Sequence, residues 1–292
     1  MSRIAILGLG YMGVPIANRL ASASHEVCGL TRDGNRRPGL DGAVAVRPME
    51  TPWGRAAEGG TEVLILCLPD AAAIRAALAQ TKVLDSLASG GLVIDMGTTG
   101  LEGTRWLAGE CAARGIDLVD APVSGGVVGA EAGRLTLFLG GDAGAVARAA
   151  DILRACGTPH HLGETGAGQA AKLANQIIVA DTIAAVAEGL EFARTLGVDR
   201  ASLLTALAGG FADSRVLQVH GPKIVAEEYG SAGPIRLHLK DLGLAQAADP
   251  AAFARLEVAN AVARTFADLA GNGHAETDHS GYALRFRQEE AE

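Results

Sequence analysis

The chain has 292 residues, of which 49% are hydrophobic and 4% aromatic, with 39 glycines, 10 prolines and a net charge of -8. That length fits one large domain or two modest ones, with a core built mainly from Ala, Val, Leu and Ile, and the glycines point to tight turns and not to a low-complexity segment. The acidic balance weighs against a nucleic-acid partner, because phosphate binding normally leaves a basic surplus.

Cys28, Cys67, Cys111 and Cys156 are widely spaced and form no CxxC pair. A disulfide framework or a structural zinc site is therefore not expected, and the cysteines fit a reducing cytoplasm. The N-terminus runs from "MSR" straight into a strand with no basic leader and cleavage site. No uninterrupted apolar run reaches the roughly 18 residues of a membrane span, so no membrane partner is expected.

In chain order, "RIAILGLG" reads as an apolar strand running into glycines, "VPIANRLAS" as a helix, and "HEVCGLT", "TEVLILCLP" and "GGLVIDMGTT" as three further strands. "LEGTRWLAGECAARG" is a helix, "IDLVDAPVS" and "RLTLFLGG" are strands, and "DAGAVARAADILRACG" is a helix. Apolar strands alternating with helices predict an α/β fold with a doubly wound parallel sheet covered on both faces. Beyond residue 168 strand-like runs cease, and Ala/Leu-rich helical segments follow at 169–195, 200–208, 214–228, 238–248 and 251–270. The boundary is expected near residue 163, giving domains 1–162 and 163–292 joined by a long helix. Only the short acidic end "QEEAE" reads as a charged tail.

"GLGYMG" places Gly8, Gly10 and Gly13 in a G-x-G-x-x-G array between a strand and a helix. Gly8 permits a tight turn, Gly10 lets the backbone approach a pyrophosphate, and Gly13 lets the helix pack on the strand. The helix N-terminus supplies N–H groups to the phosphates. The loop residues Gly8, Leu9, Gly10, Tyr11, Met12 and Gly13 are accordingly assigned to a dinucleotide. The second strand ends in Thr31 and Arg32, a hydroxyl and a guanidinium that suit a ribose 2′-phosphate. NADP is therefore expected in preference to NAD. Asp33, about 20 residues past the last glycine, stands where an NAD-type acid could sit, and Arg32 could also be a solvated loop charge.

Hydride transfer to a carbonyl needs a group that stabilises the developing oxyanion and delivers a proton. The seven histidines show no HxxxH or HxH spacing, so a metal is not expected in this role. Lys172, Asn175 and Gln176 share one helical face at i, i+3 and i+4 amid small and apolar residues. By spacing alone, Lys172 is either a walled-in catalytic lysine or a snorkelling surface one. Ser124, Gly125 and Gly126 follow a strand's C-terminal end, where open α/β sheets bind ligands, and could hold a carboxylate or form a plain turn.

The ordered motifs "GLGYMGVPIANRL", "CLPD", "DMGTT", "DAPVSGGVVGAEAGRLTLFLGG", "GAGQAAKLANQ" and "KDLGLA" together resemble the β-hydroxyacid dehydrogenase family, across essentially the whole chain. Within it, "KLANQIIVA", "GGFADSRVLQVHGPK", "IRLHLKDL" and "TDHSGYA" look most like the tartronate semialdehyde reductase branch; the 3-hydroxyisobutyrate branch usually carries Asn-Asn where this chain has Asn175 and Gln176. The resemblance implies a Rossmann domain followed by an all-helical substrate and oligomerisation domain, a homo-oligomer, and a small carboxylate-bearing semialdehyde or 3-hydroxy acid as substrate. It implies Lys172 as general acid/base with Asn175 and Gln176 beside it, and Ser124, Gly125 and Gly126 on the substrate. It also implies Thr98, Lys240, Leu68 and Pro69 along the cofactor. Asp241 is expected to orient Lys240 or to cap a helix, and His279 to pack or to cap. The sequence departs from the pattern at Gly97, where a serine is common, and at Arg255 and Leu256, where Leu-Pro is frequent. Imine reductases and non-catalytic nucleotide-binding modules share the architecture and stand as alternatives; the retained Lys172 weighs against both, and the acidic charge weighs against the second.

Overall fold

A computed structural model describes residues 1–50 and 61–288. The acidic end at 289–292 lies outside the described residues. The chain divides into two compact units, Met1–Lys172 and Leu173–Glu292.

The first unit runs β1 (Arg3–Leu7), α1 (Gly13–Ser22), β2 (Glu26–Thr31), β3 (Ala45–Pro48), β4 (Thr61–Leu66), α2 (Ala71–Gln80), β5 (Leu87–Asp95) and α3 (Gly100–Ala112). It continues through β6 (Asp117–Asp120), β7 (Val123–Ser124), α4 (Gly126–Glu131), β8 (Leu135–Gly140), α5 (Ala143–Leu153) and β9 (Gly157–Gly163) into the start of α6 (Ala167–Thr195). The strands form one sheet in the order β3-β2-β1-β4-β5-β6-β8-β7, with β9 beside β8. Strands β1 to β6 pair in parallel, and β8 runs antiparallel to β6 and β7. This is the doubly wound dinucleotide-binding order, whose switch point falls between β1 and β4. Successive residues of β1 point to opposite faces: Ile4 and Ile6 join one core with Ile16, Ile65 and Ile94, while Ala5 and Leu7 join the other with Leu64, Ile74 and Leu107. Both faces are thus covered, which is why these strands read as unbroken apolar runs.

Strands β3 and β9 escape the apolar-run criterion, and the one strand expected at "IDLVDAPVS" is two, β6 and β7. β9 reads GTPHHLG and has no buried residue, and β3 reads AVRP and is mostly exposed. Both are held by backbone pairing at the sheet margins, where proline and polar residues are tolerated.

In the second unit α6 continues, followed by α7 (Arg200–Leu207), α8 (Arg215–Ala226), α9 (Ile235–Ala248), α10 (Pro250–Phe253) and α11 (Glu257–Leu269). Ala180, Ile183, Ala184, Ala187 and Leu190 form a buried stripe at helical spacing along α6. They pack with Ile224, Ile235, Leu242, Val262, Phe266 and Tyr282. The single segment expected over 251–270 is broken: the Asp249 carboxylate caps α10, and Asn260 donates to the carbonyls of Phe253 and Leu256 before α11 begins. By length and composition α6 is also able to cross a membrane, although no uninterrupted apolar run was found; 33% of its most apolar window is buried here.

A histidine cluster ties the second unit together. His238 Nε2 lies 2.9 Å from the Gln176 carbonyl, and its Nδ1 lies 2.9 Å from His279 Nδ1. Asp278 is 1% exposed; it accepts from Ser280 Oγ at 2.5 Å and from Lys223 Nζ at 3.2 Å. Burial, then the charge of His238, lowers His279 from its ordinary 6.5 to about 3. Burial opposes ionisation of Asp278, but its contacts with His220 and Ser280 outweigh that and hold its carboxyl below the usual range. His279 is neutral in the fold and protonates once unfolded. Its contribution is therefore present above about 6.5 and is lost as pH falls toward about 3, with a slope of up to about 1.4 kcal/mol per pH unit. Urea denaturation between pH 7 and pH 4.5 should show this loss. A His279→Gln variant should be less stable at pH 7, with a flatter profile across that window.

Candidate active site

Leu7 ends β1 and the chain turns at Gly8, whose φ is 105°. A Cβ at Gly13 would lie 1.9 Å from the Gly8 carbonyl oxygen, so only glycine lets α1 start this close to the turn. A Cβ at Gly10 would meet nothing within 4 Å, so the space in front of it is open. α1 begins without a side-chain cap and without an acid in its first turn, whereas Asp70 caps α2 and Asp142 caps α5. Open space before uncapped N–H groups fits a pyrophosphate. The Leu9 side chain is buried beneath β2, Met12 packs against the core, and Tyr11 is exposed.

At the end of β2, Thr31 is buried and Arg32 is exposed. Asp33 accepts from Arg37 at 3.0 and 3.1 Å and from the Asn35 N–H at 3.1 Å, contacts that hold its carboxyl well below the usual range. Arg36 donates to the carbonyls of Asp41, Val44 and Leu40. Of the three arginines, Arg36 and Arg37 are engaged, whereas Arg32 makes no hydrogen bond or ion pair among the described residues. The β4 exit carries Leu68 and Pro69. A Cβ at Gly97 would come within 2.4 Å of the Leu68 carbonyl oxygen, which accounts for glycine at 97 in this chain.

The ends of β5 and β6 and the start of α6 share a buried polar lattice. Gln169 is 0% exposed; its Oε1 accepts from the Thr99 and Gly100 N–H groups at 3.0 and 3.1 Å, and its Nε2 donates to the Gly97 carbonyl at 2.9 Å. Asp95 accepts from the Gly97 N–H and from Thr99 Oγ1. Asp120, 0% exposed, accepts from the N–H groups of Gly166 at 2.7 Å and Gln169 at 2.8 Å. Burial pushes its carboxyl up against the pull of these donors. Thr98 is the one residue of 95–100 that is not buried. Lys172 follows Gln169 by three positions on α6 and is half-buried. Ser124 ends β7, and Gly125 and Gly126 follow with φ of 126° and 63°.

In the second unit, Asn175 Nδ2 donates to Gln176 Oε1 at 3.0 Å, Gln176 Nε2 donates to Asp241 Oδ2 at 2.7 Å, and Lys240 Nζ lies 3.0 Å from Asp241 Oδ1. Asp241 thus pairs with Lys240 and also fixes Gln176. His279 bonds His238, and the adjacent Asp278 caps the turn His279–Leu284. Sequence reasoning missed Gln169, Asp120, Asp95 and Thr99. Their only signal is a polar residue standing alone in an apolar or glycine-rich run, Gln169 in "GAGQAAK" above all.

Residues 3–168 match the family model for the NAD binding domain of 6-phosphogluconate dehydrogenase. Residues 166–285 match that for the NAD-binding of NADP-dependent 3-hydroxyisobutyrate dehydrogenase. The chain is 33% identical over 280 residues to the 2-hydroxy-3-oxopropionate reductase of Escherichia coli K12, covering 95% of this chain and 94% of that protein. The chain belongs to the β-hydroxyacid dehydrogenase family. It is also 34% identical over 300 residues to the 3-hydroxyisobutyrate dehydrogenase of Pseudomonas aeruginosa, covering 96% and 95% of the two chains. The solved structure of Mycobacterium tuberculosis 3-hydroxyisobutyrate dehydrogenase with L-serine superposes with a TM-score of 0.81 at 29% identity, covering 98% of this chain and 99% of that one. This β-hydroxyacid dehydrogenase is therefore an NAD(P)-dependent oxidoreductase acting on CH–OH groups.

Replacing Gln169 by Leu leaves the Thr99 and Gly100 N–H groups buried without an acceptor, at about 1–3 kcal/mol each. Urea denaturation of Gln169→Leu should show a loss of about 2–4 kcal/mol.

Proposed function

We propose that the protein is an NADP(H)-preferring reductase of a small carboxylate-bearing semialdehyde, with tartronate semialdehyde reduced to glycerate as its reaction. NADPH supplies the hydride. Lys172 binds the carbonyl oxygen, stabilises the charge that develops there and delivers the proton; in the reverse direction its amine accepts one. Ser124, Gly125 and Gly126 bind the substrate carboxylate through the serine hydroxyl and exposed N–H groups. Thr98, Lys240, Leu68 and Pro69 line the cofactor's path, and Gly8 to Gly13 hold its pyrophosphate.

The amide pair carries the substrate reading. Gln176 is occupied on both sides by Asn175 and Asp241, and this fixes the orientation of the Asn175 amide. Asn175 Oδ1 has no partner among the described residues. It suits a substrate hydroxyl, which tartronate semialdehyde carries where the 3-hydroxyisobutyrate pathway's aldehyde has a methyl group. A site built to hydrogen-bond a hydroxyl discriminates strongly against the analogue that lacks it. The likeness to the Escherichia coli 2-hydroxy-3-oxopropionate reductase supports the same choice. A cytoplasmic location goes with this reading, supported by four widely spaced cysteines with no CxxC pair. It is read as a homo-oligomer because Ile178, Phe192 and Leu196 remain exposed on and just beyond α6.

Steady-state kinetics with NADPH should show kcat/KM for tartronate semialdehyde at least about 100-fold above that for methylmalonate semialdehyde. No turnover on any semialdehyde with either cofactor would sink the assignment. Lys172→Met should lower kcat by about 10²- to 10⁴-fold while NADPH binding, followed by its fluorescence, stays intact. Arg32→Ala should raise KM for NADPH about 10- to 100-fold, as expected for losing charge-assisted bonds to a phosphate, with KM for NADH moving less than about 2-fold.

A further inference from the structure

His220 on α8 and Asp278 and His279 near the C-terminus are far apart in sequence, yet one ligand atom from each lies within 4.8 Å of the others. Hydrogen-bond polarity determines which nitrogens carry lone pairs. The Gln176 carbonyl can only accept, so His238 Nε2 carries the proton and its Nδ1 is an acceptor. His279 Nδ1 must then donate to it, which leaves the His279 Nε2 lone pair without a partner. His220 Nδ1 is buried and also lacks a hydrogen-bond partner, and stands 3.6 Å from Asp278 Oδ1. A Cβ at position 233 would come within 3.2 Å of His279 Nε2 and 3.5 Å of Asp278 Oδ2, so only glycine leaves His279 Nε2 uncrowded there, while the Gly233 N–H donates to Asp278 Oδ2 at 3.0 Å.

We propose that His220, Asp278 and His279 form a binding site for a divalent first-row transition-metal ion, zinc being the reference, and that Lys223 is its built-in competitor. Two imidazole nitrogens and a carboxylate are a donor set for zinc, cobalt or nickel, and not for calcium or magnesium, which take oxygen ligands. Ligand atoms around a tetrahedral zinc sit about 3.3 Å apart, so the three side chains close by up to about 1.5 Å on binding. Water fills the fourth position. His279 already has the outer partner that a ligating histidine needs, since His238 holds its Nδ1–H and is itself held by the backbone of α6. The ammonium of Lys223 neutralises Asp278 in the absence of metal and is displaced when the ion binds. Bound metal then joins α8 to the C-terminal turn His279–Leu284.

Isothermal titration of the untagged chain with zinc chloride tests this independently of turnover. One ion per chain is expected, with a rise in thermal midpoint. His279→Ala and His220→Phe should each weaken binding by at least about 10-fold, and Lys223→Met should tighten it. Circular dichroism in EDTA confirms that each variant is folded; if a histidine variant is not, the gain in Lys223→Met carries the test. No stoichiometric binding by either the wild type or Lys223→Met overturns the site. So does unchanged affinity in Lys223→Met, or binding that survives in the His220→Phe/His279→Ala double variant.

Discussion

The first turn of α6 is hydrogen-bonded to the sheet, and the placement of Lys172 depends on that attachment. Asp120 accepts two N–H groups there, and Gln169 reaches back to three backbone groups at the end of β5. Helix N-termini have unpaired donors, and strand ends have unpaired donors and acceptors. Here each supplies what the other lacks, in a site closed to water. A fully satisfied buried polar network is rigid, because any shift would leave several groups unpaired at once. The position of Lys172 is thereby set by the sheet.

The glycine-rich loop between β1 and α1 works by the opposite principle. α1 has no side-chain cap, and a Cβ at Gly10 would touch nothing, so donors and space are left for a ligand. At the end of β2 the charges are sorted in the same way. Arg37 neutralises Asp33, Arg36 closes onto backbone carbonyls, and Arg32 is left over. What the protein leaves unpaired here is as informative as what it pairs.

Much of this was legible in the sequence. Residues buried on both faces of a sheet must be apolar, so β1, β2, β4 and β5 announce themselves, as do the glycines whose side chains would collide with backbone. Marginal strands were not legible: β9, with Pro159 and two histidines, carries no apolar signal, because backbone pairing and the His161 contact with the Gly141 carbonyl hold it in place of a buried apolar face. The break between α10 and α11 depends on Asp249 and Asn260 bonding to local backbone, a competition that composition does not reveal. Gln169 and Asp120, 49 residues apart, are joined by a bond that no spacing rule anticipates. The same holds for the histidine cluster, whose members stand at 220, 238 and 279.

Lys172 and Asn175 lie on one unbroken helix of 29 residues. Their backbones are separated by three residues of α-helix, about 4.5 Å along the axis. Over so short an arc a helix is effectively a rigid ruler. A bend elsewhere in the chain, a change of temperature or a substitution in a remote loop leaves that interval unchanged. The spacing of Lys172 and Asn175 along the chain is thus a property of the α-helix itself.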